Sequence, residues 1–441
     1  MRGAASMTRH RDLGTRGDGR YRVVDEDRIV ANLVRNFLPY EGADDRRHAT
    51  AEAARLLERW IVDGLPVRVE RGERKFDAFE ACNFALQAWL EDGDPVWLSH
   101  QVASSRRMVR EMRESATPST RLAVSFRREF NLRSIAAATH LRLRLPLPID
   151  TSSVESIRME PESAALDAAS ATTLGRLEVR FAMPEPALDT MWIEATSLVP
   201  GGASGIPLTE ETACDPYDTA APEYRLYTRP QEGLIRVTAA VVQLANALAV
   251  PNESPARVVR RIWDYFTTRM KIGFIDYDEL APDDPLGTLI ARAWCDCHTG
   301  SALFVALARA RGIPARIVTG AVLYPVAPSQ HSWLEVFLPP HGWLPIDIFG
   351  GFLAARSLVD PEWSSCFLGY RDPRLITQRL PHIFLGAPGV TLSAAWYMVQ
   401  SLTEGGGEWM LGSLDRRGWV LRDELSVSID AAAGAAPGIA G

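Results

Sequence analysis

Cysteine is scarce in this chain. There are five in 441 residues, Cys82, Cys214, Cys295, Cys297 and Cys366. An odd and sparse set excludes a disulfide-stapled secreted scaffold. Long apolar runs are also missing. The longest, "VTAAVVQLANALAV", has 14 residues and contains Gln243 and Asn246, too short and too polar to span a bilayer. A basic field is absent as well. Lys plus Arg number 48 against 55 for Asp plus Glu, a formal charge of −7, which argues against a nucleic-acid partner. The opening "MRGAASMTRHRDLGTRGDGRYR" is basic but lacks an apolar stretch, so no secretory signal is expected. No Gly-Lys-Ser/Thr follows the adjacent glycines of "PGGASG", so there is no phosphate loop. The acidic "DYDELAPDDP" has no recognisable calcium-ligand pattern. The expectation is a cytoplasmic protein with reduced thiols, no metal, no cofactor, and neither nucleic acid nor membrane as partner.

What is present is an ordinary globular composition, 46% hydrophobic and 23% charged, long enough for several domains. Residues 1–28 read as a disordered tail. Residues 29–115 read as helical: Leu56, Leu57, Trp60 and Ile61 recur at helical spacing, as do Phe79, Phe84, Leu86 and Trp89, with Cys82 as core filler. Residues 116–200 switch to a period of two in "RLAVSF", "HLRLRLPLP", "RLEVRF" and "MWIEA", an antiparallel β domain with one wet face. The Gly-, Pro- and acid-rich 201–228 reads as a linker or a surface loop, and no role is read for Cys214 within it. Residues 229–390 form a mixed core. It opens on "GLIRVTAAVVQLANALAVP" as one helix. A second helix follows, capped by Ser254 and started by Pro255, with Val258, Val259, Ile262, Trp263 and Phe266 as its buried stripe. Residues 391–441 are a C-terminal extension whose last dozen residues fray.

Chemistry concentrates in "AWCDCHTGSALFVALARARGIPAR". Leu303, Phe304 and Leu307 lie on one side of a helix that Gly312 and Pro314 stop. Cys297 therefore falls at or just before its N-terminus. Unpaired N–H groups and the helix dipole there favour a thiolate, and the same N–H groups could hold an oxyanion. Downstream, "HSWLEVFL" and "WLPIDIF" alternate like strands on either side of the turn "PPHG". A register sum of 678 or 680 sets His331 and Asp347 side by side or diagonal on one face, whereas an odd sum needs a bulge. The arrangement that follows is attack by cysteine, a proton shuttle at histidine and orientation by the carboxylate. Glu335 shares the face of His331 and is a rival orienter. Plainer readings stand beside these. Cys297 could be a buried helix cysteine. Cys295, Cys297 and His298 could bind a metal, or the two thiols could form a transient redox pair. His341 reads as a solvated turn residue, His298 as a loop residue, Trp294 as structural, Trp333 and Trp343 as packing, and Arg316 as an ion-pair residue.

With these residues in view, the chain resembles the transglutaminase-like superfamily over roughly 230–350. The match runs through "CHTGSALFVALARARGIPAR", "HSWLEVF" and "GWLPID", with a weaker echo in "FLGYRDPRLI". The resemblance implies an α+β fold: a papain-like core with the cysteine helix packed on an antiparallel sheet, here joined to an N-terminal helical region and a β domain. It also implies Cys297 as nucleophile, His331 as base and acid, and Asp347 as orienter. Cys295 stands where the family usually has glycine, and Thr299 where it often has an acid.

The expected chemistry is acyl transfer through a Cys297 thioester. The donor would be a protein, peptide or carrier-bound acyl group, and an amine acceptor would give a new amide. With water as acceptor the same residues make a hydrolase. A non-catalytic binding module on the same fold is the remaining alternative. The flanking domains are expected to narrow access or dock a protein substrate, and oligomeric state is not legible.

Overall fold

The computed structural model describes residues 23–37, 42–77, 80–81, 83–84, 121–133, 140–146, 153–160, 167–171, 176–201, 204–273, 275, 280–281, 283–323, 329–356, 367–371, 374–379, 400–404, 407–411 and 420–429. Cys82, Cys366, Phe79, Leu86 and Trp89, residues 1–22 and the last dozen residues lie outside these. The chain divides into two units, 1–100 and 101–441.

The first unit is not purely helical, and it begins before residue 28. Helices Glu26–Phe37 and Gly42–Val62 accompany a sheet whose strands run Val23–Asp25, Glu73–Asp77, Arg68–Glu70 in spatial order. The sheet follows from the turn at Arg71 and Gly72. Both have positive φ (54° and 84°), which reverses the chain in two residues. Leu56, Leu57 and Trp60 are buried as their spacing predicts. Gly64, at φ 109°, ends that helix, and the Leu65 N–H returns to Trp60 O at 2.8 Å.

Among the described residues, the second unit carries two larger β-sheets outside its mixed core, besides a two-stranded one of Gln400–Glu404 and Gly407–Leu411. One is four-stranded and antiparallel, in the order Val420–Ile429, Arg121–Asn131, Thr190–Pro200, Ser153–Glu160. The other orders His140–Pro146, Arg176–Ala182, Asp167–Ala171. The β region thus extends beyond 116–200, because a strand of the C-terminal extension completes its edge. Leu122, Phe126 and Phe130 are buried opposite Val199, Ala195 and Met191, and Val124 and Ile193 are buried on the same face, as two-residue alternation requires.

The segment read as a linker or a surface loop is bound along its length. Ser204–Gly205 pairs with Tyr370–Arg371, the Asp215 N–H donates to Pro339 O at 2.8 Å, and Tyr217 Oη–H donates to Phe337 O at 2.8 Å. Its polar composition fits because its backbone groups find partners on strand ends. The opening helix of the core is also shorter than its apolar run. Residues 231–236 make a tight hairpin about Gly233, and the helix spans only Ala239–Leu248. The next helix, Pro255–Arg269, has Ser254 accepting from the Arg257 N–H and buries the expected stripe.

The core sheet runs Gly342–Ile346, Ser329–Leu338, Ala315–Val322, Arg374–Arg379, all antiparallel. The helix Cys297–Ala310 packs on its two middle strands and is almost wholly buried. Leu122, Val124 and Val199 of the four-stranded β-sheet share one hydrophobic cluster with Ala321 and Leu375 of the core sheet and with Leu323 just past its strand. No helix among the described residues is long and apolar enough to cross a membrane.

Candidate active site

Cys297 is the first residue of its helix, and Asp296 caps it. Asp296 Oδ1 accepts from the N–H groups of His298 (3.0 Å) and Thr299 (2.7 Å), and Thr299 Oγ1 accepts from the Asp296 N–H at 3.0 Å. This reciprocal box pins the turn that carries the sulfur. It also corrects the expected oxyanion site. Two first-turn N–H groups are consumed by the cap, leaving the Cys297 N–H as the first-turn donor that the cap does not take. The box was legible in Asp296 and Thr299, three residues apart.

The hairpin register has a sum of 680, with Leu334 opposite Ile346. His331 and Asp347 therefore meet diagonally on one face. His331 Nε2 lies 2.9 Å from Asp347 Oδ2. The Cys297 side chain lies beside the same imidazole, close enough to help raise it. With Nε2 committed to the carboxylate, Nδ1 is the ring nitrogen left for sulfur. The imidazole is held between aromatic rings. Trp333 stacks at 6.3 Å between centroids and Phe349 meets it edge-on at 5.7 Å.

Asp347 does more than sequence spacing suggested. The strand ends at Ile346, and Asp347 starts the helix Ile348–Arg356. Its Oδ1 accepts from the N–H groups of Phe349 and Gly350, both at 3.0 Å. Its Oδ2 also lies 2.7 Å from Arg374 Nη1. Burial alone would raise the carboxyl, but the charges of His331 and Arg374 hold it well below the usual carboxylate range. Burial would likewise push His331 down. The adjacent Asp347 carboxylate and the Cys297 side chain override it and carry the imidazole up to about 10. The site therefore favours an imidazolium at His331, held between the Asp347 carboxylate and the Cys297 side chain.

The remaining candidates sort by contact. Glu335 is bound to Arg316, Oε2 to Nε at 2.8 Å, so it is occupied away from His331. Arg316 lies over Trp343 at 3.9 Å, the ion-pair and packing residue expected of "GIPAR". His341 Nε2 is 2.9 Å from Ala213 O, and Trp343 Nε1 donates to Glu223 at 3.1 Å. His298 is buried rather than in an open loop, and burial lowers it to about 4, so it is a neutral imidazole. Cys295 is fully buried and burial drives its thiol well above the ordinary value. A Cβ on Gly300 would approach its sulfur to 2.9 Å, so glycine there makes room for the second thiol. Arg374, 27 positions beyond Asp347, was invisible to local spacing.

The described cysteines, Cys214, Cys295 and Cys297, are all free. Near neutral pH, iodoacetamide should modify Cys297 first, as read by peptide mass mapping. Cys214 and Cys295 should lag, since burial raises both thiols. His331→Ala should slow Cys297 labelling about tenfold or more. Labelling of Cys295 ahead of Cys297 would contradict this geometry.

Residues 242–348 match the model of the transglutaminase-like superfamily. No curated protein matches the chain. Among solved structures, a candidate cysteine protease from Cytophaga hutchinsonii shares 13% identity, covering 70% of this chain and 90% of its own, at a TM-score of 0.44. The periplasmic domain of TgpA from Pseudomonas aeruginosa shares 14% identity over 57% of this chain and 93% of its own, at 0.29.

Proposed function

We propose, from the transglutaminase-like core carried by residues 242–348, that this protein performs cysteine-dependent acyl transfer through a thioester on Cys297. The observation that carries the reading is the unbroken chain of contacts from the Cys297 thiol to the His331 ring and on to Asp347 at 2.9 Å. Sulfur attacks the carbonyl of an amide, ester or thioester. The Cys297 N–H, at the positive end of its helix, suits the developing oxyanion. His331 then gives its proton to the leaving group and the thioester remains. An incoming amine loses a proton to His331 and takes the acyl group, which gives an amide. Water in its place gives hydrolysis. Asp347 keeps the imidazole oriented throughout and compensates its positive charge whenever it is protonated.

A protein, peptide or carrier-bound acyl donor and an amine acceptor are the partners this chemistry calls for. Free thiols at Cys214, Cys295 and Cys297 suit a reducing, cytoplasmic setting. The test is intact-mass spectrometry of the protein after exposure to cell extract, followed by incubation with a dansylated amine. An acyl adduct on Cys297 that is lost in Cys297→Ala is expected. Transfer of the adduct to the amine supports the transferase, and release as the acid supports the hydrolase. A protein that alkylates rapidly but never carries an adduct would favour a binding module.

A further inference from the structure

Arg374 lies outside the stretch matched by the superfamily model, yet its guanidinium reaches the centre of the site. It is 2% exposed at the side chain, 2.7 Å from Asp347 Oδ2, and sits over the Trp333 ring at 4.9 Å. Trp333 in turn stacks on His331. One buried cation thus touches the carboxylate directly and the imidazole through a shared aromatic ring. We propose that Arg374 is a positioning residue for the acyl-transfer site, holding Asp347 ionised and aligned on His331. This rests on the proposed function.

The strand that delivers Arg374 is fixed from two sides. At Gly320, the residue paired with His331, a Cβ would meet Leu375 O at 1.8 Å, so only glycine lets strand Arg374–Arg379 approach this closely. Leu375 packs with Leu122, Val124 and Val199 of the four-stranded β-sheet. That sheet therefore braces the strand holding the guanidinium, a role distinct from docking substrate.

The charged groups around Asp347 are few. His331 faces it from strand Ser329–Leu338 and Arg374 from strand Arg374–Arg379. Cys297 reaches it through the imidazole, and the N–H groups of Phe349 and Gly350 come from its own helix. The next cluster, Glu335 with Arg316 and Arg379, is bound to itself. Removing Arg374 takes a buried positive charge from beside Asp347, which then protonates more readily and supports the His331 imidazolium less firmly.

The test is the pH dependence of Cys297 alkylation in the full chain, for wild type, R374K, R374M, D347N and the double variant R374M/D347N. R374M should move the acid limb about one unit toward neutral, a loss of about tenfold on that limb, with little change at pH 9. R374K, which keeps the charge, should retain most of the wild-type profile even where R374M folds poorly. In the D347N background, R374M should add nothing further, because its effect runs through the carboxylate. An R374M profile that overlays wild type would overturn the assignment. So would a pH-independent loss of the same size in both backgrounds, the mark of a merely structural arginine. Alkylation that depends on His331 without any acyl adduct would defeat the proposed function while leaving this assignment standing.

Discussion

Asp347→Asn should lower turnover on the order of 10³–10⁴-fold while leaving the substrate's KM nearly unchanged. The amide oxygen can still accept from the Phe349 and Gly350 N–H groups, so the cap of helix Ile348–Arg356 survives. The charge does not. His331 would then feel burial without its counter-ion and lose the imidazolium. Arg374 would be left with a buried positive charge facing a neutral amide, a cost of about 3–5 kcal/mol in stability. The pH dependence separates these effects. His331 is raised from 6.5 to about 10, so its contribution to stability is complete below 6.5 and is lost as pH rises through 10. Asp347 is depressed from 3.8, so its contribution is complete above 3.8 and is lost only as pH falls through its lower folded value. Urea midpoints at pH 5, 7 and 9 should show D347N furthest below wild type at pH 5 and closest at pH 9. Parallel curves would mean that the pair does not couple to folding.

The parts of this site that could be read from sequence share one property: they are local. Cys297 at a helix start, Gly312 at its end, and His331 and Asp347 across a short turn are each fixed by spacing within a few residues or within one hairpin. The hairpin itself was legible, but its register was not: alternation left 678, 680 or an odd sum open, and the structure has 680. What escaped was non-local. Strand Val420–Ile429 pairs with Arg121–Asn131 some 300 positions earlier, and no turn chemistry announces it, although Leu425 and Val427 alternate as a strand should. Arg374 reaches Asp347 only because the bulged pairing at Thr319 and Gly320 sets its strand there. Of the two readings of 201–228, linker or surface loop, the contacts favour a bound loop, and composition could not choose between them for a related reason. Composition reports that a segment cannot make its own core, but says nothing of carbonyls elsewhere that will accept its N–H groups. Asp347 as a helix cap was hidden by an apolar alternation, "WLPIDIF", that continues past the point where the strand stops. The same lack of local signal hid what the β region does beside the site, because its contact with the core joins Leu122, Val124 and Val199 to Ala321, Leu323 and Leu375, residues too far apart in sequence for any local pattern to link.

Glu232→Ala should be among the most destabilising single substitutions in the core, costing about 3–5 kcal/mol, without touching the reacting groups. Glu232 and Arg309 are 1% and 0% exposed at the side chain and meet at 2.9 Å. Arg309 also donates to Ala315 O at 3.0 and 2.8 Å and to Arg229 O at 3.0 Å. One guanidinium thus ties the far end of the cysteine helix to the first residue of strand Ala315–Val322 and to the hairpin at 231–236. Burial disfavours its charge and Glu232 opposes that loss. Removing the carboxylate strands a cation in a site closed to water, which carbonyl dipoles only partly offset. A melting temperature lower by about 10 °C is expected, with Cys297 alkylation at 20 °C close to wild type. Replacing both partners, as in E232L/R309M, should recover much of the loss, since apolar side chains of similar volume carry no desolvation cost. If E232A unfolds within about 1 kcal/mol of wild type, the buried pair is not what holds the helix to the sheet. The alignment of Cys297 with His331 would then have to come from the apolar contacts of Leu303, Phe304 and Leu307 alone.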